Sequence, residues 1–329
     1  MTISFASRLT SLPAGFTARS TTRDDIAICT KIVRDVDIAC CGETTSTEIE
    51  LEGDLFNHSA HGERGTAVVC KDGQVVSFIN IFDELTDNRG VFFDIFVSPE
   101  IDEETAELIS IELINKMEDY ATELMREYGM TSAPLKSGVY ENDRGLVNAL
   151  EATNCAYHRT YWRMKIMHTV ETAKPVFPEG YEVTTYVNSD AALREIHNVQ
   201  TTAFKDYYDF NPTSYENWQK WFAEPMTDSS TWRLVSKDGE LIGYIMGNKR
   251  FEQENYGYVA SIGVLREHRG KGIARALLQD MFIRDKERGM LGTILHGDSS
   301  NPTGAMKLYA SVGMETDRVY LGYRKEFSI

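Results

Sequence analysis

The chain has 329 residues, of which 42% are hydrophobic and 26% charged, and a formal net charge of −16. That length and apolar content suit two globular domains, while the charge repels phosphate backbones and argues against nucleic acid as a partner. No run approaches the roughly 18 apolar residues of a membrane span, the N-terminus lacks a charged start followed by an apolar stretch, and Cys29, Cys40, Cys41, Cys70 and Cys155 show neither CxxC spacing nor paired histidines, so a cytoplasmic protein with no metal site and no disulfide framework is expected.

Taken in order, the elements come twice. Gly15-Phe16-Thr17-Ala18-Arg19 with a following Asp24-Asp25 returns as Gly180-Tyr181-Glu182-Val183-Thr184 with a following Asp190. Asp72-Gly73, set between two β-rich runs as in a tight hairpin, returns as Asp238-Gly239. Arg159-Thr160-Tyr161 returns as Arg318-Val319-Tyr320. Three matches in one order at nearly constant spacing indicate one fold used twice. Glu171 to Gly180, with two prolines and few apolar anchors, has the composition of a linker and divides the chain into 1–173 and 174–329.

Each copy reads as helix, hairpin, strand, helix, strand, helix, strand. In the second, Trp232–Lys237 and Glu240–Asn248 form the hairpin and Tyr256–Val264 the next strand. Ile273, Leu277 and Met281 give an apolar stripe to a helix predicted over Gly272–Arg288, ended by Gly289. Thr293–His296 reads as a buried strand, and Asn301-Pro302 as the cap and first residue of a last helix closed by Gly313.

The run Arg269-Gly270-Lys271-Gly272-Ile273-Ala274 joins the strand ending at Val264 to the helix. A helix start offers unpaired N–H groups and partial positive charge, so it binds anions such as a diphosphate. Glycines at 270 and 272 let a ligand approach the backbone, and Arg266, Arg269, Lys271 and Arg275 make a basic patch in an acidic chain. A Rossmann turn would need a third glycine and an acid after the next strand, and a Walker loop would need Lys-Ser/Thr after the last glycine, where Ile273-Ala274 stands.

With Arg269, Gly272 and Ala274 in its three defined positions, the segment resembles the Gln/Arg-x-x-Gly-x-Gly/Ala signature of the GCN5-related N-acetyltransferase (GNAT) family, and Asn301 to Met314 resembles that family's second coenzyme element, with Met314 in place of the usual Phe. The resemblance covers the last third of the chain. It implies an α+β fold of two tandem GNAT-like domains, each a mixed, largely antiparallel twisted sheet flanked by helices. It also implies acetyl-CoA as co-substrate, with the diphosphate on Arg269, Gly270, Lys271, Gly272, Ile273 and Ala274, the pantetheine arm along Ile262, Gly263 and Val264, and Asn301 touching that arm. A main-chain N–H near Val264 would meet the oxyanion, and Tyr309 would protonate the leaving thiolate, although Tyr309 also reads as a core aromatic.

The implied activity is N-acetylation of a small-molecule amine by direct attack, and the alternative is an acyl-CoA-binding sensor or scaffold without catalysis. No acid stands on the strand at Tyr258 to Ser261, which leaves Glu252, Glu254, His296 and Asp298 open as bases acting through water. The aromatic stretch Ala203 to Phe222 is either acceptor pocket or core. In the first copy the equivalent turn, Ser98 to Glu104, has no glycine and four carboxylates, and Leu150 stands where the second copy has Tyr309, so the first copy is expected to be silent, as in tandem proteins resembling mycothiol synthases. A monomer or homodimer fits as well.

Overall fold

The computed structural model describes residues 4–44, 46–56, 61–85, 89–169, 171–205, 207, 210, 212–220, 226–301 and 303–329. The compact units do not follow the linear division. One comprises Met1–Thr160 together with Val319–Ile329, and the other Tyr161–Arg318.

In the first unit the strands β1 (Phe16–Arg19), β2 (Ala67–Lys71) and β3 (Gln74–Asp83) run antiparallel in sequence order, and β3 pairs antiparallel with β4 (Val91–Val97). β4 then pairs parallel with β5 (Ser132–Tyr140). Helices α1 (Ile26–Cys41) and α2 (Glu48–Phe56) share a core with Phe78 on one face of this sheet. On the other face, α3 (Glu103–Glu127) and α4 (Arg144–Ala152) pack Leu113, Met117 and Leu150 against Ile79, Phe93 and Ile95. Burial of such side chains stabilises the unit by roughly 1.5–3 kcal/mol each.

The second unit repeats the plan. β7 (Glu182–Thr185), β8 (Arg233–Lys237), β9 (Glu240–Asn248) and β10 (Tyr256–Val264) are antiparallel neighbours, and β10 pairs parallel with β11 (Gly292–Asp298). α5 (Asp190–Phe204) and α6 (Tyr215–Lys220) place Ile196 and Trp218 over one face. α7 (Ile273–Glu287) and α8 (Ala305–Ser311) cover the other, where Leu277, Met281 and Phe282 meet Val259 and Leu295. The amphipathic stripe read from the sequence is the stripe that packs.

The last strand of each unit comes from beyond its own half. β6 (Ala156–Met167) closes the second sheet, where Tyr161 to Met167 pair antiparallel with the whole of β11. β12 (Glu315–Ser328) closes the first, where Tyr320 to Ser328 pair antiparallel with β5. The linker composition marks where the chain lacks regular structure, but sheet hydrogen bonds decide which residues fold together.

Both hairpins turn at Asp-Gly, with φ of 50° and 80° at Asp72-Gly73 and 53° and 83° at Asp238-Gly239. Those positive values are the ones a two-residue I′ turn demands. Gly239→Ala is expected to lower the stability of the second unit by about 1 kcal/mol, because an L side chain resists the left-handed region. Urea unfolding followed by tryptophan fluorescence, which reports Trp218 and Trp232 of that unit, measures the change.

Candidate active site

The cleft of the second unit begins at an irregularity in β10. Val259 faces Gly247 and Ser261 faces Met246, which leaves Ala260 as an extra residue, a β-bulge. The parallel pairing with β11 runs from Tyr256 to Val259 and ends there among the described residues. Beyond the bulge, the edge of Ser261–Val264 that would face β11 therefore has no strand beside it. A cleft of about 450 Å³ lies along this stretch.

The glycine turn forms one wall. Leu265 N donates to Ile242 O at 2.9 Å, Arg266–His268 make one 3-10 turn, and α7 starts at Ile273, within a residue of the predicted start. Gly270 and Gly272 adopt φ of 76° and 86°, and a Cβ at either would meet nothing within 4 Å. Among the described residues the N–H groups of Gly270, Lys271 and Gly272 donate to no main-chain carbonyl, and those of Ile273 to Arg275 belong to the first helical turn, which has no internal acceptors. Open space, donors without a main-chain acceptor and a helix start coincide at one place.

The side chains of this turn divide the work differently from the sequence expectation. The Arg269 guanidinium donates from Nε to Val264 O at 2.9 Å and from an Nη to Ala203 O at 2.8 Å, tying the turn to the ends of β10 and α5. Lys271 does not line the cleft; its Nζ donates to Tyr181 Oη at 3.1 Å, and that hydroxyl also meets His268 Nδ1 at 3.0 Å. Ile262, Gly263, Val264, Arg269, Gly270, Gly272, Ile273, Ala274, Asn301 and Tyr309 all line the cleft. Ala203, the first residue of the stretch read as pocket or core, lines it as well, and so do His268 and Gly304, which the sequence reading does not single out; the glycine in Asn301-Pro302-Thr303-Gly304 is the available signal.

The opposite wall corrects the predicted helix start. Asn301 Oδ1 accepts from Thr303 N at 2.9 Å and from Thr303 Oγ1 at 2.6 Å, a local turn, and α8 begins only at Ala305, after Gly304 at φ 78°. Pro302 lies outside the described residues. Asparagine thus closes a turn ahead of the helix, a use that competes with capping.

Tyr309 belongs both to the core and to the cleft. It is 8% exposed, and its ring lies so close to Gly297 that a Cβ there would come within 3.3 Å of it. Burial pushes its phenol up to about 12, with a smaller contribution from Tyr258, so it holds its proton at physiological pH.

None of the candidate bases lines the cleft. His296 Nδ1 meets Tyr258 Oη at 3.1 Å. Burial, aided by Arg250, Arg163 and Arg318, pushes the imidazole down to about 3, which keeps it neutral. Asp298 is buried and accepts from Ser300 N at 2.8 Å. Glu252 lies 3.9 Å from Lys249 and 3.7 Å from Arg288, and Glu254 is half-buried ahead of β10. In the aromatic stretch, Phe204 and Tyr207 line the cleft whereas Tyr215 and Trp218 pack in the core; Tyr208, Trp221 and Phe222 lie outside the described residues.

The first unit differs at each of these points. β3 and β4 pair without a bulge from Ser77–Val97 to Asp83–Val91. Ser98 N donates to Val76 O as Leu265 N does to Ile242 O, but only Ser98 to Asp102 then separate β4 from α3. Asp102 caps that helix, its Oδ1 accepting from Thr105 N at 2.9 Å, and Glu103 and Glu104 follow in the first turn. Carboxylates occupy the donors and the field that an anion would use.

Fold and cleft define a two-copy α+β protein in which the second copy carries an open glycine turn at a helix start. Residues 191–314 match the family model described as Acetyltransferase (GNAT) family. Mycothiol acetyltransferases of Streptomyces griseus and Thermobispora bispora are 30% identical over 159 residues and 28% over 174, covering 48% and 51% of this chain and 50% and 57% of theirs. The chain thus spans about half the length of the curated relatives it matches. A GCN5-related N-acetyltransferase from Sphaerobacter thermophilus superposes with a TM-score of 0.82 at 22% identity, over 97% of this chain and 98% of that one. A tandem GNAT protein from the clavulanic acid biosynthesis pathway does so with 0.65 at 16%, over 94% and 98%; at such identities these likenesses speak for the fold. The second unit thus matches the GCN5-related N-acetyltransferase family through residues 191–314, and the two-copy fold is one shared with a tandem GNAT protein.

Proposed function

We propose that the second unit is an acetyl-CoA-dependent N-acetyltransferase acting on a small-molecule amine by direct attack, and that the first unit is catalytically silent. The observation that carries the reading is the glycine turn, where open space, N–H groups without a main-chain acceptor and a helix start meet beside the cleft. The residues present suit acetyl-CoA: the N–H groups from Gly270 to Arg275 would hold its diphosphate, the unpaired edge of Ile262 to Val264 its arm, and Asn301 lines the same cleft. Bound there, the co-substrate supplies an activated acetyl thioester.

The chain's own residues then have separate tasks. Main-chain N–H groups near Val264 would donate where negative charge develops on the carbonyl oxygen. Tyr309 keeps a phenolic proton at its Oη, available to the departing sulfur. Arg269 fixes the turn against β10 and α5 through Val264 O and Ala203 O. In the first unit the shorter, carboxylate-capped turn supports the absence of coenzyme chemistry.

The name of the relatives makes a mycothiol-related amine one candidate acceptor. Incubating the chain with acetyl-CoA and a panel of amines, and reading free CoA with a thiol reagent, tests the proposal. Steady, acceptor-dependent release is expected. Saturable acetyl-CoA binding with no release for any amine would favour a sensor or scaffold instead.

A further inference from the structure

The first unit carries a constellation that its fold does not require. On the α1/α2 side of its sheet, β3 presents Phe78, Asn80 and Phe82, and β4 presents Phe96, Asp94 and Phe92 in register opposite them. The outer pairs are stacked: Phe78 on Phe96 at 5.1 Å between centroids and Phe82 on Phe92 at 5.2 Å, nearly parallel. Between them sits a polar pair, Asn80 and Asp94, in direct cross-strand register, where side chains are close neighbours.

That pair lacks complementary donors. Asn80 is 3% exposed, yet its Oδ1 has no hydrogen-bond partner. Asp94 is half-buried with no hydrogen bond among the described residues. Asp54 from α2 is near enough to act on it as a like charge. Among the other titratable groups of the surrounding elements, Lys136 of β5 pairs with Phe92 and has its Nζ 5.3 Å from the centre of that ring, so a cation already rests at the Phe92 end of the site, and Asp37 of α1 accepts from Tyr140, Thr44 and Ser46. A buried acceptor without a donor, as Asn80 Oδ1 is, costs roughly 1–3 kcal/mol, so a site built this way is complementary to a ligand that only donates.

We propose that this face of the N-terminal unit binds an organic ammonium group, held by Asp94 and Asn80 Oδ1, with its carbon body against the Phe82–Phe92 pair. An ammonium offers several donors and a positive charge, and aromatic faces attract it further. A divalent metal would ask for six or more oxygens, with water among them, where here two stacked ring pairs flank the acceptors. Burial, with repulsion from Asp54, pushes the Asp94 carboxyl up to about 7, as expected of an anionic site waiting for its cation. Asp94 lies on the strand corresponding to β10, so the unit with the carboxylate-capped turn keeps a recognition surface of its own.

The test is calorimetric titration of the full chain with benzylammonium chloride, benzyl alcohol and magnesium chloride at pH 8 and pH 6. Benzylammonium is expected to bind saturably at pH 8 and about tenfold more weakly at pH 6, since a carboxyl titrating near 7 is mostly neutral there. Asp94→Asn, which keeps the shape and removes a desolvated charge, is expected to leave the melting temperature unchanged or raised, to weaken binding at least tenfold at pH 8 and to abolish the pH dependence. Phe92→Leu is expected to weaken binding severalfold. Equal affinity in Asp94→Asn, equal affinity for benzyl alcohol, tighter competing magnesium, or no saturable heat with benzylammonium would each overturn the proposal. None of these readouts depends on acetyl transfer.

Discussion

A Gly272→Glu chain is expected to bind acetyl-CoA at least about a hundredfold more weakly, a loss of about 2.7 kcal/mol. Gly272 sits at φ 86° as the residue from which α7 springs. A side chain there is strained by about 1–2 kcal/mol, although its Cβ would meet no other atom within 4 Å. A carboxylate at a helix start is itself favourable, which offsets part of that strain and keeps the fold. The same favourable placement makes it a competitor for the diphosphate, adding repulsion and filling the open space. Calorimetry with acetyl-CoA, together with an unchanged circular dichroism spectrum, separates this result from unfolding. Undiminished affinity would show that the glycine turn is only a structural cap.

The second large effect concerns Tyr309. Replacing it by phenylalanine is expected to lower kcat by roughly 10²-fold or more while acetyl-CoA affinity stays within about twofold of the parent. The ring is retained, so the packing against Gly297 and the surrounding core persists. What disappears is a hydroxyl that burial keeps protonated, at about 12. Steady-state rates from CoA release and a parallel binding titration make the measurement. Unaltered turnover would return Tyr309 to the role of a core aromatic.

Features set by a few adjacent residues were legible in the sequence. The Asp-Gly hairpins, the two positive-φ glycines before α7 and the limits of that helix each follow from local backbone preference or from an apolar stripe. The family resemblance extended this to the tandem fold. Features that depend on the environment were not legible. Nothing in Val259-Ala260-Ser261 announces a bulge, because the extra residue is defined by what β9 offers opposite it. Lys271 looked like a phosphate ligand by charge and position, but Tyr181, distant in sequence, gives its ammonium another partner. Asn301 read as a helix cap because a proline follows it, yet its side chain closes a turn on Thr303. The Asn80–Asp94 pair is invisible until the register of β3 and β4 is known.

Because β6 completes one sheet and β12 the other, the order of synthesis and the order of assembly cannot coincide. The N-terminal unit emerges from the ribosome without its closing strand and must wait for the whole C-terminal unit to be made, leaving the edge of β5 open in the meantime. Each copy is thereby dependent on the other for its integrity, whatever either does chemically. That mutual dependence gives a physical reason for a copy without the glycine turn to be retained rather than lost.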